Sequence, residues 1–161
     1  MTVAFEDLET LKAAETICDN LWKRIAHWGP FARDTVGKQL VEAADSVGAN
    51  IAEAYGRFHY GEKVTFFYYA RGSLFETKYW INRARTRELL ENETALAYAT
   101  ELTNLARQLN ALLDATRRQR SKENQVPKAV REEASDYSPI ELVSVELFSP
   151  DDLAWLGRAD S

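Results

Sequence analysis

Four polar side chains recur through the middle of a long helical pattern. Ser46, Asn50, Glu53 and Arg57 are spaced by four, three and four residues. At about 100° per residue they fall within an arc of roughly 60°. A hydroxyl, an amide, a carboxylate and a guanidinium on one stripe can bond across to another helix or another subunit, or hold a ligand such as nucleic acid. Tyr69, Ser73, Glu76, Trp80 and Arg83 form a comparable mixed stripe further along. Ser46, Asn50, Glu53, Arg57, Ser73 and Glu76 read best as a structural polar network that fixes the register of two antiparallel helices, since satisfied polar groups specify packing.

The second kind of chemistry is cationic. Lys23 and Arg24 close one helical pattern, and Arg83, Arg85 and Arg87 close another. In an up-down bundle these two runs lie at the same end. Arg57 and Lys63 lie at the other end with Arg117, Arg118 and Arg120. Each cluster suits the negative end of a helix dipole or a solvated tip, and each could also hold phosphates.

Catalytic arrangements find no support in the pattern. His27 and His59 fall at helix ends without a readable acidic partner. The Glu-x-x-His pairs of a di-iron bundle do not occur, and no glycine loop for phosphate is present. Cys18 sits on an apolar face and reads as core. The expectation is a non-enzymatic protein without metal or cofactor. A single cysteine, no long apolar run and an acidic start without a signal-peptide pattern fit a cytoplasmic setting.

Four amphipathic segments must position these groups. The first spans 5–27, with Leu8, Leu11, Ile17/Cys18, Leu21 and Ile25 at three-four spacing, and Gly29-Pro30 stops it. The second spans 31–58, its core stripe being Val36, Leu40, Ala44, Val47, Ile51, Ala54 and Phe58. Gly48 in its interior suggests close approach of another helix. The third spans 61–90 on Phe67, Ala70, Leu74, Thr77, Ile81 and Ala84. The fourth spans 92–119 on Leu96, Ala99, Leu102, Leu105/Ala106, Leu109 and Leu112/Leu113, with Asn92 as a cap candidate. Short links predict an all-α, antiparallel up-down-up-down four-helix bundle over 1–120. The Gly-Pro and Tyr-Gly breaks disfavour separate coiled coils.

Residues 121–161 form an extension of different character. Residues 1–120 carry 16 basic and 16 acidic side chains, whereas 121–161 carry 4 and 9. The whole net charge of −5 therefore resides in the extension. It opens as a linker, turns β-prone from Glu141 to Phe148, and offers a helix start at Ser149-Pro150 followed by Leu153, Trp155 and Leu156. That apolar content suits docking on the bundle or binding a partner. A neutral body with an acidic tail does not by itself advertise nucleic acid.

The motif residues resemble one bacterial family. Gln39, Ser46, Asn50-Ile51-Ala52-Glu53 and Gly56-Arg57, followed by Phe66-Phe67, Ala70-Arg71-Gly72-Ser73-Leu74 and Glu76, are similar in order and spacing to its two motifs. These are the four-helix bundle proteins encoded in intervening sequences of large-subunit ribosomal RNA genes. The family includes the accessory variability determinants of diversity-generating retroelements. Ala54 stands where the motif has glycine, and 121–161 fall outside the pattern. The resemblance implies a homopentamer with a central channel. For the retroelement members it implies binding to a reverse transcriptase and to RNA or DNA through basic surfaces. The surplus aromatics Trp22, Trp28, Tyr68, Tyr69, Tyr79 and Trp80 fit an oligomer independently. The expected function is a homo-oligomeric scaffold or adaptor accessory to a nucleic-acid process. The alternative is a protein-binding assembly platform that uses the extension and touches no nucleic acid.

Overall fold

The computed structural model describes residues 8–124, with side chains through Ser121. Helix α1 is Glu9–Ile25. Helix α2 is composite: Pro30–Ala32, a π turn at Arg33–Gly37, then Lys38–Gly56. Helix α3 is Tyr60–Thr86 and helix α4 is Asn92–Asn124. Each helix packs against its neighbours in the chain, and α4 returns to α1, so that α1 faces α3 and α2 faces α4 across the diagonals. The molecule is thus an all-α four-helix bundle. At 1.5 Å per residue, α3 runs about 40 Å and α4 about 50 Å.

The core is the predicted apolar stripes brought together. Leu21, Leu40, Ile51, Leu74, Ile81, Leu102, Leu105, Leu109 and Leu113 are fully buried. Thr77 is the polar member of this layer, and its hydroxyl donates to the Ser73 carbonyl at 2.8 Å. Leu8, Cys18, Leu96 and Leu112 sit half-buried at its margin.

One stripe residue leaves the core. Helix α2 stops at Gly56, and Arg57 is extended at φ −78, ψ 141. The helical phase that would have turned Phe58 inward is lost at that residue. Phe58 is 86% exposed instead.

Close helix approach occurs at a different glycine from the one expected. A Cβ on Gly37, in the π turn, would lie 2.5 Å from Ile25 Cγ2. A Cβ on Gly48 would meet nothing nearer than 3.9 Å. The α1–α2 approach is therefore tightest beside the link, where the π turn swings the backbone against Ile25.

Two boundaries also differ from the periodicity. Helix α3 ends at Thr86, four residues before the expected 90, because Glu88 adopts φ 58. Its N–H donates to the Arg85 carbonyl, and the Leu89 N–H to that of Ala84, both at 2.9 Å. This pair of bonds is the Schellman ending of a helix, with Glu88 in the place glycine usually takes. Helix α4 continues through Asn124, so Ser121 to Asn124, read as linker, are helical. The β-prone stretch 141–148 and the helix start at Ser149 lie outside the described residues.

Candidate nucleic-acid interface

The polar stripe of α2 is bonded along its own helix. Ser46 Oγ donates to the Glu42 carbonyl at 2.7 Å, and Asn50 Nδ2 to the Ser46 carbonyl at 2.8 Å. On α3, Ser73 Oγ donates to the Tyr69 carbonyl at 3.1 Å. Short side chains reach a carbonyl one turn back more readily than a group across a helix interface. Glu76 is exposed. These bonds do not couple α2 to α3, so Ser46, Asn50 and Ser73 of the expected register-fixing network are bonded locally instead.

Arg57 is the member that does reach α3, and its partner there is aromatic. Its guanidinium pairs with Glu53 and lies over the Phe66 ring, 4.6 Å from the centroid. Phe66 in turn meets Tyr69 edge-on at 5.6 Å. Extended backbone at Arg57 lets the side chain fold back over α3 while the chain turns.

The α4 cluster meets the same helix from the other side. Arg117 hydrogen-bonds the Tyr68 hydroxyl and lies 5.5 Å from that ring's centroid. Arg71, which the sequence reading passed over, stands 5.6 Å from the same ring. The Arg120 guanidinium lies against Gly61, 3.7 Å from where a Cβ would be. Lys63 lies 5.8 Å from the centroid of Tyr60. Arg118 is exposed. The opening turns of α3 therefore collect cations from the end of α2 and from α4, Arg57 and Arg117 on aromatic rings and Arg120 against Gly61. The signal in the sequence was the run Tyr60 to Tyr69, whose aromatics fall between basic residues. Glu53, Glu62 and Asp114 are the carboxylates on the adjoining turns.

The opposite end is divided. Lys23 and Arg24 lie on α1, and Arg83, Arg85 and Arg87 on or after α3, across the diagonal. Lys23, Arg24 and His27 line an open groove of about 680 Å³ with Glu93 and Glu101 of α4. Arg85 Nη1 donates to Asn92 Oδ1 at 3.1 Å, so the expected cap residue serves an arginine instead. Glu88 and Glu91 are exposed in the link. Carboxylates of the α3–α4 link and of α4 lie at the same end as these five cations.

Cys18, Tyr98 and Tyr55 are held toward their protonated forms. Burial and the neighbouring Asp45 carboxylate push the Cys18 thiol up to about 12, well away from the thiolate. Burial also raises Tyr98, against which Arg24 acts in the opposite sense. Burial alone raises Tyr55. Among the described residues, no three His, Cys, Asp or Glu side chains gather as metal ligands. No described helix is long and apolar enough to cross a membrane.

No curated protein matches the chain. The sequence profile described as 23S rRNA-intervening sequence protein matches residues 6–111, which spans the bundle from α1 into α4. With two-thirds of its length inside that match, including both motif stretches around Arg57 and Tyr68, the chain belongs to the 23S rRNA-intervening sequence protein family.

Proposed function

We propose that the protein is a non-enzymatic, homo-oligomeric scaffold that binds RNA or DNA, accessory to a nucleic-acid process such as retroelement reverse transcription. The observation that carries this reading is the cluster at one end of the bundle in which Arg57, Lys63, Arg71 and Arg117 lie on aromatic rings and Arg120 lies against Gly61. Guanidinium groups held on rings lose less side-chain freedom when they meet a phosphate than free ones would. A closed oligomer repeats the cluster once per subunit, which multiplies the attraction to a polyanion. A reverse transcriptase is the protein partner that the family resemblance brings to the proposal.

A structured RNA titrated into the full chain at increasing salt tests this. Three phosphate contacts imply that affinity falls roughly twenty- to fortyfold between about 50 and 200 mM salt. Absence of binding at about 50 mM salt removes the reading. The protein-only platform would then stand, supported by the exposed aromatics Tyr69, Phe75 and Tyr79 on the outer face of α3.

A further inference from the structure

Phe58 occupies an unusual position for a large apolar side chain. It is 86% exposed, at the turn between α2 and α3. Arg57 before it is extended, and so is His59 after it, at φ −84, ψ 133. The two extended residues carry Phe58 out of both helical phases and hold it on the outside. The His59 ring meets it edge-on, with centroids 5.2 Å apart and planes at 88°. The ring is therefore braced at its neighbour while largely open to water.

Cations outnumber carboxylates on the turns around it, Arg57, Lys63 and Arg120 against Glu53 and Glu62. Arg57 precedes it directly, Lys63 stands one turn into α3, and the Arg120 guanidinium rests on Gly61. Phe31 makes an instructive contrast. It is 84% exposed in the first turn of α2, where the nearby Arg33 pairs with Asp34 at 3.0 Å; Arg57 beside Phe58 pairs likewise with Glu53, and Lys63 and Arg120 are the cations that set Phe58 apart. Exposure alone is common to both rings, and the cationic setting belongs to Phe58.

An exposed ring among backbone-tracking cations is the combination that binds single strands, because every unpaired base has a face to stack. A continuous duplex keeps its bases stacked on each other and presents phosphates to the same cations. We propose that Phe58 stacks on an unpaired base, so that this end of the bundle selects single-stranded nucleic acid, or the unpaired loop of a folded RNA, over duplex. This rests on the nucleic-acid reading above and names the form of ligand that the site takes.

The test measures binding of the full-length protein to a labelled single-stranded RNA of about 20 nucleotides and to the matching duplex. Phe58→Ala is expected to weaken single-strand binding roughly ten- to hundredfold while changing duplex binding less than about twofold. Phe58→Trp keeps the preference, and Phe31→Ala leaves both affinities unchanged. Phe58→Ala without effect on the single strand, alongside Lys63→Ala weakening both ligands, overturns the stacking and leaves the charge-based reading intact. A changed particle mass for Phe58→Ala assigns the ring to a contact between copies and also overturns it. If the unaltered protein binds neither RNA, both readings fall together.

Discussion

Gly37 and Gly48 show how a single hydrogen in place of a methyl is decided by its surroundings. Gly37→Ala drives a Cβ to within 2.5 Å of Ile25 Cγ2, on a β-branched side chain fixed in the core. A loss of about 1–3 kcal/mol is expected from urea unfolding. Gly48→Ala finds ordinary contact distances to Leu11 and Ala14 and removes a glycine from a helix interior. It is expected to be neutral or to stabilise by up to about 1 kcal/mol. Nothing in the sequence ranks these two glycines, because the ranking depends on the π turn that holds Gly37. Cys18 carries a second expectation. Its proton is held more tightly in the folded chain, up to about 12 against an ordinary 9.0. That contribution is complete below pH 9.0 and is lost as pH rises toward 12. Cys18→Ala should therefore show a shallower fall in urea midpoint between about pH 8 and about pH 10.5.

At the scale of the element, the repeats that set the four helices were plain, and their ends were not. Leu74, Ile81 and their partners are buried because a three-four apolar repeat leaves a long helix only one face to bury. Helix ends depend on single residues. The α3 stop is disguised because Glu88, not glycine, takes the left-handed position. Glu88→Gly is expected to raise stability by about 1 kcal/mol in thermal or urea unfolding, since the Cβ strain at φ 58 disappears. The α2 stop was hidden for the opposite reason. Phe58, four residues after Ala54, continues the apolar period past the residue where the backbone leaves the helix. The polar stripe was legible as a pattern, yet its bonds were misread, since spacing cannot tell a bond one turn back from a bond across an interface. Arg57 is the residue for which both are true: it pairs with Glu53 on its own helix and covers Phe66 on the next.

For the whole molecule, up-down topology correctly assigns each basic cluster to an end of the bundle. What the sequence did not disclose is that one end joins its cations on α3, while the other separates them across a diagonal and sets Glu93 and Glu101 against Lys23 and Arg24. The outer face of α3 carries Tyr69, Gly72, Phe75 and Tyr79, all exposed. The homopentamer that the family resemblance implies would give a mass of about five chains by light scattering, and a stable monomer would exclude the oligomer. The π turn has a consequence for how such a chain tolerates length change. A π turn is an α-helix holding one residue too many. Deleting one residue within 33–37 lets the helix close as regular α and leaves Leu40, Val47 and Ile51 facing the core. Deleting one within 44–50 turns everything after it by about 100°, taking Ile51 and Ala54 out of the core and Arg57 off Phe66. The π turn is thus a place in α2 where descendants of this sequence can lose a codon, and it lies away from the end of the bundle that gathers the arginines.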